Sequence, residues 1–331
     1  MVVPAIETYV TPTMGEIETA REVVGRYLAP TPLLQSAALS ERLGLDLHVK
    51  CENLQPIGAF KVRGGINLLS QLSAAERARG VITASTGNHG QSIAYAAGVF
   101  DAKVMIFVPE GANTRKVAAM QRLGAEVTFA GADFAACCDA AEARAAQDGA
   151  YYVHPANEPR LIAGVATYTV EIMEAVPDLD VLIVPVGGGS GLSGACIVGK
   201  ALSPSLQVIG VQASGAPAVH DSWRRRELLT LDHADTFAEG VATRVAFELT
   251  SQIIWDLVDD IRLVEDHDMR RAILTLVETT GLVAEGAGAA SLAAAYQMRQ
   301  ELAGKKVAVV LSGGNITLDG LRQILNEEEP W

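Results

Sequence analysis

No apolar run in these 331 residues reaches the length of a membrane span. The longest, Val181 to Val186 and Val307 to Leu311, have the length of buried parallel strands. The first residues include Glu7 and Glu16 and lack a basic start followed by an apolar core, so no secretory leader is expected. Cysteine is scarce: Cys51, Cys137, Cys138 and Cys196 have no metal-ligand spacing. Cys137 and Cys138 are neighbours in an Ala-rich helical stretch and read as small core or half-buried thiols, which suits a reduced, cytoplasmic protein. The six histidines are scattered and none fits a zinc pattern, so no metal is expected. Asp266-His267-Asp268 reads as a polar helix start with Asp266 as N-cap. Basic residues are outnumbered, 26 against 39, and the net charge of −13 argues against nucleic acid as partner. The one basic cluster, Arg224-Arg225-Arg226, is followed directly by Glu227 and reads as a solvated helix face.

What is present is a regular alternation of short apolar strands and helices. Val81–Ala84, Lys103–Val108 and Glu126–Phe129 read as strands separated by helices, a compact block with a small parallel sheet. After Tyr151-Tyr152-Val153-His154-Pro155 a second series begins, with strands at Val181–Val186, Gln207–Gln212, Ile261–Val264 and Val307–Leu311. The fold class is therefore α/β, with two doubly wound units and a ligand cleft between them at the carboxyl ends of strands.

Four loops that follow strands carry chemistry. In Gly58-Ala59-Phe60-Lys61-Val62-Arg63-Gly64-Gly65, Lys61 stands at the start of a helix among apolar neighbours. Both the helix dipole and desolvation disfavour its charged form, and a free amine can make a Schiff base. An ordinary lysine snorkelling from an amphipathic helix is the plainer alternative. Ser85-Thr86-Gly87-Asn88-His89-Gly90 exposes successive backbone N–H groups at a helix start, a site for a carboxylate, and equally suits a Ser/Thr cap. Gly187-Gly188-Gly189-Ser190-Gly191 can wrap a phosphate. The glycines also match a dinucleotide fingerprint, but the strand Gln207–Gln212 ends in Gln212 where that motif needs an acid. Ser312-Gly313-Gly314-Asn315 offers a neutral hydroxyl after the last strand.

In this order, the four motifs resemble the pyridoxal-phosphate enzymes of fold type II, most closely the threonine/serine dehydratase (ammonia-lyase) branch that includes serine racemase. The resemblance implies pyridoxal 5'-phosphate bound in the cleft between the two units. Lys61 would carry the Schiff base, with Phe60 beside the cofactor. Asn88 would bond the ring hydroxyl, Gly187, Gly188, Gly189, Ser190 and Gly191 the phosphate, and Ser312 the ring nitrogen. Ser85, Thr86, Gly87, Asn88 and His89 would grip the substrate carboxylate, and Gly240, Val241 and Glu285 would line the pocket. A larger cofactor-binding domain of residues 1–75 and 155–331 and a smaller mobile domain of residues 76–154 are implied. So is a homo-oligomer, a dimer or tetramer, acting on a small amino acid.

The activity implied is elimination of water and ammonia from a β-hydroxy amino acid, with L-threonine or L-serine the default. A racemase, a dehydratase for a bulkier substrate such as hydroxyaspartate or an aryl-serine, and a nicotinamide-nucleotide oxidoreductase are the alternatives. Thr86 stands where the racemases carry serine, and its methyl crowds the hydroxyl. Gln212 stands where cation-activated relatives place glutamate, so metal stimulation is not expected there. Feedback control through an added regulatory domain is not expected either.

Overall fold

The computed structural model describes residues 9–331; the earliest residues, Glu7 among them, lie outside that range. Among the described residues ten strands run in chain order as β1 (Leu33–Gln35), β2 (Asp46–Cys51), β3 (Val81–Ala84), β4 (Val104–Val108), β5 (Glu126–Phe129), β6 (Tyr151–Tyr152), β7 (Val181–Pro185), β8 (Gln207–Ala213), β9 (Asp260–Val264) and β10 (Lys306–Leu311). They form a six-stranded sheet ordered β1-β2-β10-β7-β8-β9 and a four-stranded sheet ordered β5-β4-β3-β6. All pairings are parallel except β1 with β2. The antiparallel edge strand β1 and the two-residue β6 are too short to be read from periodicity, which is why the sequence pattern shows neither.

Strand order explains where a ligand belongs. In the small sheet the chain winds β3, β4, β5 to one side and returns as β6 on the other, so the reversal lies at β3. In the large sheet it winds β7, β8, β9 to one side and returns as β10 on the other, so the reversal lies between β7 and β10. Crevices in open parallel sheets form at such reversals, outside the carboxyl ends of the strands. The loops beginning at Ser85, Val186 and Ser312 leave those three strand ends.

The helices are set by local chemistry that agrees with the apolar pattern. Thr13 and Ser73 open helices Met14–Val24 and Ala74–Arg79 with full capping boxes to Glu16 and Glu76. Gly44, in the left-handed region, closes Ala37–Leu43. Asp266 is not a cap: Glu265 holds that position, and the Asp266 carboxylate accepts from the Thr236 hydroxyl and the Phe237 N–H. Gln212 is buried, and its amide oxygen accepts from the N–H groups of Val219 and His220, so it caps helix Ala218–Arg225. One core lies against each face of the large sheet, and the small sheet has its own. Among the described residues no helix is long and apolar enough to cross a membrane.

Candidate active site

Helix Val62–Ser70 starts immediately after Lys61 and is the wedge between the two sheets. Gly65 lets it approach helix Asn88–Val99, because a Cβ there would lie 2.5 Å from Ser92 Oγ. Gly164 lets helix Pro159–Ala175 approach from the other side, where a Cβ would lie 2.6 Å from Arg63 O. The Ser92 hydroxyl donates to Lys61 O (2.6 Å), fixing the backbone from which the amine projects. Lys61 Nζ donates to Ser190 Oγ (2.7 Å) and lies 5.3 Å from the centre of the Phe60 ring. Burial pushes the amine down to about 8, which leaves a useful fraction of it neutral near physiological pH.

Behind Lys61 stands a buried ion network. Arg63, 1% exposed, donates Nε and Nη2 to the two oxygens of Glu52 (both 2.8 Å). Its Nη1 and Nη2 also donate to Glu171 (2.6 and 2.9 Å), which Lys50 engages as well. Burial opposes the Arg63 charge, but Glu52 and Glu171 more than offset it and raise the guanidinium's pKa.

Two helices start at the cavity. Helix Ser190–Leu202 follows Gly189 and has no side-chain cap. Helix Asn88–Val99 follows Gly87 and is capped in part by Ser85, whose Oγ accepts from the N–H groups of Gly90 (2.8 Å) and Gly87 (3.1 Å), the Ser cap that the sequence also suits. The first N–H groups of helix Ser190–Leu202, and those of Asn88 and His89, are left for an outside acceptor, and the helix dipoles favour an anion there. Gly189 has φ +96°, in the left-handed region, and a Cβ on Gly187 would lie 2.2 Å from Gly240 O. A side chain at either position would clash, at Gly187 with Gly240 O and at Gly189 with Thr250, so only glycine lets the backbone take this path around the helix start.

Asn88 is gripped from both ends. Its amide nitrogen donates to Glu285 Oε1 (2.7 Å), and its oxygen accepts from Asn315 Nδ2 (2.8 Å), which also donates to Ile57 O (2.9 Å). One Asn88 amide hydrogen is left uncommitted among the described residues. Burial raises the pKa of Glu285 above the usual carboxylate range, although the Asn88 bond and the Lys116 charge pull it down. His89 Nε2 lies 2.9 Å from Thr83 Oγ1, whose proton goes to Val153 O (2.7 Å). His89 must therefore donate through Nε2, and burial followed by the Lys61 charge pushes it down to about 3, so it is neutral. Ser312 is buried at the end of β10, where its carbonyl accepts from Phe60 N (3.0 Å).

The cavity so formed measures about 630 Å³. Phe60, Lys61, residues 85–89, Gly187, Gly188, Gly240, Glu285 and Ser312 all line it. Gly189, Ser190 and Gly191 stand just behind that surface, with Ser190 in contact with Lys61. Val241 corrects the sequence reading: it is 1% exposed and packs into the core of the large sheet rather than lining the pocket. Sequence reasoning missed Lys116, Phe134, Ala135, Arg244, Val245 and Phe247 as wall residues. They carry no motif of their own and reach the cavity only through the tertiary fold. Asn315 was in view as a loop residue, but its hold on Asn88 was not.

The glycine cradle at a helix start suits a phosphate, the lysine an aldehyde, and Ser312 and the free Asn88 hydrogen the polar atoms of a pyridine ring, so the residues present fit pyridoxal phosphate. Comparison with known proteins agrees. The chain is 39% identical over 315 residues to an L-threonine ammonia-lyase of Thermotoga maritima, covering 95% of this chain and 78% of that one. It is 35% identical to an L-threo-3-hydroxyaspartate ammonia-lyase of Saccharomyces cerevisiae, over 97% of this chain and 98% of that one. The crystal structure of a serine racemase from Dictyostelium discoideum superposes with a TM-score of 0.87 at 35% identity, covering 93% of this chain and all of that one. Residues 24–313 match the family described as "Pyridoxal-phosphate dependent enzyme", and the chain belongs to that family.

Proposed function

We propose that this protein is a pyridoxal-phosphate-dependent ammonia-lyase that converts a β-hydroxy-α-amino acid, L-threonine or L-serine by default, to a 2-oxo acid and ammonia. The observation that carries the reading is Lys61, an amine of lowered pKa held against Ser190 between a glycine cradle and the start of helix Asn88–Val99. Relatives named as threonine and hydroxyaspartate ammonia-lyases support the same reaction class.

When bound, pyridoxal phosphate supplies an aldehyde for the substrate amine and a conjugated ring that accepts the electron pair released at Cα. The chain's own residues do the rest. Gly187 to Gly191 and the start of helix Ser190–Leu202 would hold the cofactor's phosphate. The N–H groups of Thr86, Asn88 and His89 would hold the substrate α-carboxylate, those of Ser85 and Gly87 being spent on Phe107 O and Ser85 Oγ. They lie beside a His89 whose neutrality keeps it from acting as a second cation. Asn88, fixed by Glu285 and Asn315, would hold the cofactor's ring hydroxyl. Ser312 would offer the ring nitrogen a neutral hydroxyl, which would not keep that nitrogen protonated as a carboxylate does. Lys61 Nζ takes the α-proton as general base, and Ser190 Oγ is in place to orient it. Loss of the β-hydroxyl gives an enamine that hydrolyses to the 2-oxo acid and ammonia.

Purified holoenzyme is to be incubated with L-threonine, L-serine and their analogues while ammonia, 2-oxo acid and the D-enantiomer are measured. Stoichiometric ammonia and 2-oxo acid are expected. A D-amino acid produced without ammonia would replace this reading with a racemase, for which the hydroxyl of Thr86 on the cavity wall is the candidate second acid.

A further inference from the structure

After the cofactor cradle and the 85–89 loop are accounted for, the cavity has one more wall. Phe134 and Ala135, at the start of helix Phe134–Asp148, bring it from the small-sheet side. Ala242, Thr243 and Val245, beyond Gly240, bring it from the large-sheet side. None of the five carries a charge, and Phe134 is 37% exposed. Three cations stand around this wall, and each already has a partner. Lys116 is paired with Glu239, and Arg244 with Asp133 at 3.4 Å. Arg270 lies over the Phe237 ring at 4.9 Å and 3.9 Å from Glu328. A second substrate carboxylate would compete with Glu239, Asp133 or Glu328 for these cations, and displacing one such partner costs about 1 kcal/mol, or about fivefold. A flat apolar group meets no such competition.

We propose that the site accepts β-hydroxy amino acids bearing an aryl group on the β-carbon, with the ring against Phe134, and discriminates against a second carboxylate. This inference rests on the ammonia-lyase reading. For 3-phenylserine the α-proton and the β-hydroxyl leave as water. The resulting enamine takes up one water and releases ammonia, giving the 3-phenyl-2-oxo acid with no oxidant or reductant required.

The test uses holoenzyme with threo-3-phenylserine, L-threonine and threo-3-hydroxyaspartate, following ammonia. Phenylserine should react with kcat/KM within about tenfold of threonine, and hydroxyaspartate about fivefold or more below phenylserine, the worth of displacing one surface ion pair. Phe134→Ala should lower the phenylserine-to-threonine ratio by about fivefold, the worth of one aromatic contact. Binding is read separately from turnover with two amino acids that lack the β-hydroxyl: L-phenylalanine should raise the melting temperature of the holoenzyme and L-aspartate should not. Threonine turnover without phenylserine turnover overturns this inference and leaves the ammonia-lyase reading standing. If no β-hydroxy amino acid releases ammonia, that reading fails instead. Stabilisation by aspartate but not phenylalanine overturns the selectivity claim in either case.

Discussion

Arg63→Met should destabilise the protein by about 3–5 kcal/mol, although the side chain faces away from the cavity. The guanidinium spends its donors on Glu52 (2.8 and 2.8 Å), Glu171 (2.6 and 2.9 Å) and the Thr167 hydroxyl (3.1 Å). When it is removed, Glu171 keeps Lys50. Glu52, fully buried, is left with the Thr31 hydroxyl at 2.5 Å and no counter-charge. The cost is therefore dominated by one stranded carboxylate, and methionine fills much of the vacated volume. Urea unfolding of the apoprotein, with the midpoint and slope both fitted, gives the difference. Because the charge and not the packing is at fault, Glu52→Gln added to Arg63→Met should restore at least about half of the loss: the amide still accepts from Thr31 but needs no cation. A single variant that costs under about 1 kcal/mol, or a double variant no more stable than the single, would refute the reasoning.

Four further outcomes follow from named contacts. Brief labelling of the apoprotein with an amine-reactive reagent, read at the Lys61 peptide by mass spectrometry, should show a pH profile that bends near 8 rather than at the ordinary lysine value; a bend above 10 would contradict the desolvation argument. The folded value lies below the unfolded one, so this group's stabilising contribution is present above about 10.5 and is lost as pH falls through about 8; Lys61→Met should accordingly stabilise the apoprotein at pH 7 but not above about 10.5. The pairs Lys116–Glu239, Arg244–Asp133 (3.4 Å) and Arg115–Asp319 (2.9 Å) join the small-sheet unit to the large across the cleft, and each is worth at most about 1 kcal/mol. Raising salt to 1 M, where screening acts over about 3 Å, should raise KM by about two- to fivefold with little change in kcat, and an unchanged KM would show that the pairs do not hold the cleft together. Glu285→Ala should weaken cofactor binding by about tenfold in equilibrium dialysis, as Asn88 loses one anchor, whereas Glu285→Gln keeps the acceptor and should recover most of it; equal losses in both would mean that charge, not positioning, is what Glu285 contributes.

The sequence made the strand ends legible because each signal there is local. A five-residue apolar run followed by glycines, as at Val181 to Gly191, states both the buried strand and the uncapped helix start within one stretch of chain. Lys61 was legible for the same reason, since its apolar neighbours are its neighbours in sequence, and burial lowers its pKa as that environment implies. What could not be read depends on partners far away in the chain. Val241 sits beside Gly240, which does line the cavity, yet the residue in the 3-10 turn Glu239–Val241 that points to the core is set by the large sheet's packing, not by its own type. Arg63 was an available warning: a charge in the otherwise apolar start of a helix must find a buried counter-charge. Choosing Glu52 and Glu171 as those counter-charges requires β2 and helix Pro159–Ala175 to be placed side by side. The same holds for substrate choice. The motif residues point to a bound amino acid, but Phe134, Thr243 and Val245, the wall proposed to meet its β-substituent, come from two units that no local pattern brings together. Reaction class is therefore written in contiguous stretches of this chain, whereas selectivity is written in the geometry between its two sheets.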